Sequence, residues 1–362
     1  MRNGRIWIAA GLLFAAGVWL FAPSRQHEDT NYLVVVSWGG SFQEAQREVL
    51  FRPFTAATGI QIIEETGPTA ARVQAMAQSG RAEWDVALMT PADVLRLGRA
   101  GYLAKVDQSH PELAPLLPDL DPRAILDHGV GDFFSSKVMA YGTDDYSAEH
   151  HPRTWAEFWD VERFPGLRVI DAGDWTMPPI EYALLADGVE PDDLYPLDFE
   201  RAYASIGRLA PHVLKFSDSP VMAAQALVDG EASLAAVTLG RIAQLKAQGA
   251  PVGFEWNQGL MEVNYWVIME NTDHIEAATR FIAFAARPEI QAAMSRLQPL
   301  GPSNRRAFEF LAPERARQLP TYPENLERQI FVDAGYWARE DASGKSNAER
   351  NAELWREFVL GQ

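Results

Sequence analysis

An apolar run from Ile6 to Ala22 follows Arg2 and Arg5, and a polar stretch separates it from Tyr32. The run is long for a signal-peptide core and short for a comfortable membrane span. Ala22-Pro23-Ser24 offers small residues for cleavage, so a signal peptide over 1–24 is expected, with an uncleaved anchor as the alternative. Either places the rest of the chain outside the cytoplasm. From Tyr32 to Glu270, short apolar runs alternate with helix-like ones. Strands are predicted at 32–36, 60–64, 84–89, 137–141, 167–171, 213–216, 233–237, 252–256 and 263–269. Several are continuously apolar, as parallel strands covered on both faces are.

The helices between them carry start signals. Ser41-Phe42-Gln43-Glu44 and Thr154-Trp155-Ala156-Glu157 have the spacing of a capping box, in which a hydroxyl and a carboxylate satisfy each other's end amides. Thr90-Pro91 and Ser219-Pro220 place a cap before a first-turn proline. A helix from Asp273–Glu276 should end by Arg287, because Pro288 follows. An amphipathic, charged tail runs from Asn347 to Leu360.

This alternation predicts an α/β, doubly wound architecture. The pattern changes character at Val138–Asp144 and at Val263–Met269, which read as crossovers between two lobes. Lobe I is then 30–140 plus 268–310, and lobe II is 141–267 plus 311–362, with a cleft between their strand ends. A length of 362 residues suits two such domains. The absence of cysteine rules out disulfides, thiolate metal sites and a lipidated cysteine. The net charge of −17 becomes more negative if Arg2 and Arg5 leave with the leader, and it argues against nucleic acid or anionic lipid as partners.

Trp38, followed by Gly39 and Gly40, ends the first strand. An aromatic with bare backbone amides at that place suits a small ligand, the Trp38 ring contacting an alkyl chain or ammonium; packing in the lobe core is the other reading. Arg241, in the first turn of a helix after Thr238, beside free end amides, suits an anion. It equally suits an ion pair with Glu262 or a solvent-facing position. Tyr265 and Trp266 alternate, so only one faces the cleft, and Trp256 is another candidate wall. His150-His151 reads as a solvated loop pair rather than a metal site. No His-Glu-x-x-His, Gly-x-Ser-x-Gly or phosphate-loop pattern is present, and Asp144-Asp145 are too close to flank one glycosidic bond.

Short pieces in a fixed order carry a resemblance: Ser37-Trp38-Gly39-Gly40, Phe54-Thr55-Ala56-Ala57-Thr58-Gly59-Ile60 and Glu83-Trp84-Asp85-Val86-Ala87. Arg153-Thr154-Trp155-Ala156-Glu157-Phe158-Trp159-Asp160, Phe164-Pro165-Gly166, Gly301-Pro302-Ser303-Asn304 and Trp355-Arg356-Glu357-Phe358 follow. Together they resemble periplasmic solute-binding proteins of extracellular family 1, the branch with the spermidine/putrescine-binding proteins of ABC importers.

The resemblance implies a two-lobed, type II periplasmic-binding-protein fold with a doubly wound sheet in each lobe. It also implies a small-molecule ligand, an inner-membrane permease as partner, a periplasmic location, a monomer, no cofactor or metal, and no catalysis. Thr90 falls where the family has a hydroxyl at the ligand, although a plain helix cap serves as well. Asp174-Trp175 falls where it has a carboxylate facing the amine, although a solvated turn is an equal reading. Asp333 lies near a ligand position of the C-terminal part. The chain departs from the polyamine pattern at Ala92, where an aromatic is usual, and at Thr238, where tryptophan is. Glu262 replaces an aromatic and Asn264 an aspartate. The implied ligand is a polyamine or related small amine. The departures at Arg241 and Glu262 make a zwitterion such as an ω-amino acid the alternative, and a periplasmic hydrolase is a weaker one.

Overall fold

The computed structural model describes residues 31–172, 179–217 and 219–361. Its strands are β1 (Tyr32–Ser37), β2 (Gln61–Thr66), β3 (Val86–Met89), β4 (Ile125–Leu126), β5 (Gly129–Gly142) and β6 (Arg168–Asp171). β7 (Val213–Ser217), β8 (Leu234–Thr238), β9 (Val252–Ile268), β10 (Gly301–Pro302) and β11 (Ile330–Phe331) complete them. They hydrogen-bond in the order β2-β1-β3-β9-β5-β8-β6-β7, with β4 and β10 on β5 and β11 on β9. One end holds the parallel run β2-β1-β3 and the other the parallel run β8-β6-β7. The long antiparallel pair β5–β9 joins them.

Alternation along each strand feeds two cores, one per face. On β1, Leu33 and Val35 enter one cluster and Val34 and Val36 the other. On β8, Leu234 and Ala236 face a cluster with Trp155, Phe158 and Trp337, while Ala235 and Val237 face one with Ala223, Leu227 and Ile242. Both faces of β1 and β8 are therefore covered, the condition under which purely apolar strands are stable, while the edge strands β2 and β7 leave Ile63 and Leu214 exposed.

The same packing locates the lobe changeover. Phe134 packs in the first half and Met139 in the second; on β9, Leu260 belongs to the second and Met261 to the first. Leu311 and Leu319 pack with Ala292 and Ala307 in a cluster of their own. Alternation continues at β11, where Phe331 packs against the first half's cluster and its neighbours Ile330 and Val332 against the second's.

Strand positions agree closely with the pattern, with two corrections. The run at 137–141 is the end of a fourteen-residue strand, and 252–256 and 263–269 are one strand of seventeen. The Ser41–Glu44 capping box does not form: the helix starts two residues earlier, at Gly40 after Gly39 at φ 78°, with no side-chain cap. Thr154 and Ser219 do cap their helices. The full reciprocal box stands at Ser346 and Glu349, opening Asn347–Leu360.

Candidate functional site

A cavity of about 730 Å³ opens between the two halves. Its floor is the middle of the sheet. β5 contributes Phe133, Ser135 and Lys137; β9 contributes Leu260, Glu262 and Asn264; Thr238 ends β8. Ser135 pairs with Glu262, and Lys137 lies between Leu260 and Thr238 in register. Trp38, Phe42 and the start of helix Pro91–Arg99 form one wall. The other is Glu181 and Tyr182 of Ile180–Ala186, with Arg241 and Gln244 of Leu239–Ala247.

Side-chain bonds hold the polar groups in place. Trp38 donates its indole N–H to Asn264 Oδ1 (3.2 Å), and Asn264 Nδ2 donates to Ser135 Oγ (3.3 Å). Thr90 donates to Asp93 Oδ2 (2.9 Å), whose other oxygen takes a long ion pair from Arg96 (3.4 Å). Thr238 donates to Asp171 (3.1 Å). Buried Glu181 accepts from Trp337 Nε1 and from Tyr195 Oη, each at 2.8 Å. Trp155 stacks on Tyr182 with ring centroids 3.9 Å apart.

The floor carboxylates are electrostatically primed. Burial pushes the Glu262 carboxyl above its ordinary range; Lys137 opposes the shift, and Glu181 and Asp93 add to it. Burial also raises Glu181, against the pull of its two donors and of Lys137. The Arg241 side chain lines the same cavity and makes no ion pair or hydrogen bond among the described residues, nor does the Lys137 side chain. The sequence alternative in which Arg241 pairs with Glu262 is not what the structure adopts. One cavity thus offers open cationic and anionic groups beside an aromatic wall.

Of the residues singled out from sequence, Trp38, Thr90, Thr238, Arg241, Glu262 and Asn264 meet at this cavity. Gly39 sits behind Trp38 as the helix N-cap, its amide bonded to Gln43 Oε1 at 3.1 Å. Asp174 and Trp175 lie outside the described residues. Three expectations are corrected. Neither Tyr265 nor Trp266 faces the cleft: Tyr265 is buried on the opposite sheet face, donating to Arg123 O, and Trp266 packs edge-on to Phe281. The cleft-facing positions of β9 are 260, 262 and 264. Trp256 packs edge-on to Phe254, away from the cavity. Asp333 is exposed, does not line the cavity and caps its own helix, accepting from Tyr336 N (2.9 Å).

His151 is also not a solvated loop residue. It is buried, stacks on Tyr141 (4.3 Å), and meets Glu255 at 3.3 Å. No cluster of three metal-ligating side chains occurs among the described residues.

Lys137, Glu181 and Asp93 are among the cavity residues that sequence reasoning passed over, as are Arg96 and Glu349. Glu181 had a signal: a lone charge inside an otherwise apolar helix costs free energy unless something pairs with it.

A family model for bacterial extracellular solute-binding proteins matches residues 50–322. The gamma-aminobutyric acid-binding protein of Pseudomonas aeruginosa is 32% identical over 324 residues, covering 88% of this chain and 89% of that one. An ABC transporter substrate-binding protein from Bradyrhizobium japonicum superposes with a TM-score of 0.82 at 32% identity, over 91% of this chain and 99% of its own. The spermidine/putrescine-binding periplasmic protein of Escherichia coli is 24% identical, covering 86% and 89%. The chain belongs to the bacterial extracellular solute-binding proteins, and its two-lobed fold is that of a type II periplasmic binding protein.

Proposed function

We propose that this substrate-binding protein of an ABC importer captures a small ω-amino acid and hands it to an inner-membrane permease. The carrying observation is that Arg241 and Glu262 line one cavity without pairing with each other. A guanidinium that nothing neutralises suits a carboxylate, and a desolvated carboxylate suits an ammonium. The span between them would be filled by a short alkyl chain against Trp38. Thr238 and Asn264 set the floor, with Thr90 holding Asp93 toward the amine end. Asp174 is a second candidate for the amine, on the resemblance alone. The gamma-aminobutyric acid-binding relative supports this reading, since its ligand has those two charges.

A linear polyamine is the second reading. The grouping of Glu181, Glu262 and Asp93 around one cavity favours it, as do the polyamine-binding relatives. Closure would occur about β5 and β9 where they pass between the lobes. We place the working protein in the periplasm, as a monomer that binds and releases without turnover.

Titrating the mature protein with 4-aminobutanoate, 5-aminopentanoate, 1,4-diaminobutane and spermidine, read by tryptophan fluorescence and calorimetry, tests the proposal. Micromolar or tighter binding of an ω-amino acid, with diamines at least tenfold weaker, supports it. Tighter binding of a diamine overturns it.

A further inference from the structure

We propose that Lys137 is a built-in counter-ion that sets which charges the cavity accepts, balancing Glu262 and excluding the second ammonium of a diamine. This rests on the ω-amino acid reading and deepens it. Lys137 stands on β5, with β8 and β9 bonded on either side, so its partly exposed ammonium has the cavity and not a sheet edge in front of it. The register fixes its relation to the acid. Ser135 is opposite Glu262 and Lys137 is opposite Leu260, so Lys137 and Glu262 are diagonal neighbours on one face. Such neighbours lie about 7–8 Å apart at Cα, within reach of a lysine stem.

They nonetheless form no ion pair. An unclosed pair in a partly desolvated cleft leaves the acid free to take an amine, while the lysine remains as a fixed positive charge beside it. A ligand with one ammonium and one carboxylate is compatible with that arrangement, its carboxylate going to Arg241. A diamine lying as the amino acid would, with one ammonium at Glu262 and the other toward Arg241, meets Lys137 and Arg241, where like charges in a low-dielectric cleft repel it and offset what Asp93 and Glu181 offer on the same cavity. Glu181 feels the same lysine, so its charge also balances the acids of the second lobe.

The test is calorimetric titration of the mature protein and of Lys137→Met, Lys137→Gln and Lys137→Arg with 1,4-diaminobutane and 4-aminobutanoate. Met and Gln keep most of the side-chain volume and remove the charge; two such variants guard against one failing to fold. The expected result is diamine affinity at least tenfold above wild type in the folded neutral variants, with Lys137→Arg keeping the wild-type rejection. Diamine affinity within twofold of wild type in the neutral variants overturns the proposal. So does a gain in Lys137→Arg equal to theirs, which would make size the cause. Failure of the wild-type protein to bind any ω-amino acid is a separate result: it defeats the proposed function, and the ratio between variant and wild type for the diamine still decides the role of Lys137.

Discussion

Trp38 and Asn264, 226 positions apart in sequence, are joined across the cleft floor by an indole hydrogen bond of 3.2 Å. The bond fixes the ring that forms one wall, and the asparagine is held in turn by Ser135. Asn264→Leu removes the acceptor and lets the ring turn. Ligand affinity should fall about fivefold to tenfold, the worth of about one hydrogen bond, while the melting temperature changes little. Unchanged affinity by calorimetry would show that Trp38 is not part of the binding wall. Asn264→Asp adds a carboxylate to the floor and should favour diamines over ω-amino acids.

Glu181 is a buried acceptor shared by Trp337 and Tyr195. Glu181→Leu leaves the buried Trp337 indole N–H without an acceptor and takes the acceptor from the half-buried Tyr195 hydroxyl, which still accepts from Asp333 N, and should cost about 2–3 kcal/mol. Glu181→Gln keeps an acceptor and drops the desolvated charge, so its loss should be much smaller. Urea midpoints separate the two. Equal losses would mean that the volume of the side chain, and not its hydrogen bonds, holds this part of the second lobe.

Asp132 gives a pH signature. It is buried at the bulge of β5, and burial pushes its carboxyl up to about 7, with the Trp266 indole N–H offsetting this only in part. Its folded value lies above the unfolded one near 4, so the native state holds the proton more tightly. Its contribution to stability is therefore full below pH ~4 and is lost as pH rises toward 7. Asp132→Asn should match wild type at pH 4 and exceed it by roughly 2–4 kcal/mol at pH 8. A difference that does not grow across that window in denaturant titrations would refute the assignment.

The strand positions were legible because buried parallel strands are continuous apolar runs, and those of β1, β3 and β8 are clean. The long strands were not, since Gly129–Ser136 mixes glycines, Asp132 and serines at a bulge, and 257–262 interrupts β9 with polar residues. Alternation said that Tyr265 and Trp266 face opposite ways. It could not say that the cleft ends at Asn264, so that both bury, because where a strand passes from core to cavity depends on the other lobe. The capping box at Ser41 lost to a glycine start, while the one at Ser346 went unread in a polar stretch. Arg241 and Glu262 were visible as departures from a known pattern. Lys137 and Glu181 needed the fold to bring them to the same cavity.

Everything functional turns on whether Arg241 receives a carboxylate. The most direct measurement is the calorimetric affinity of Arg241→Ala for 4-aminobutanoate and for 1,4-diaminobutane, beside wild type. Loss of the guanidinium should weaken the amino acid by about a hundredfold or more, as expected for a charge-assisted pair in a shielded cleft, and leave the diamine unchanged or tighter. An equal loss for both ligands, or an undiminished affinity for the amino acid, would contradict the account.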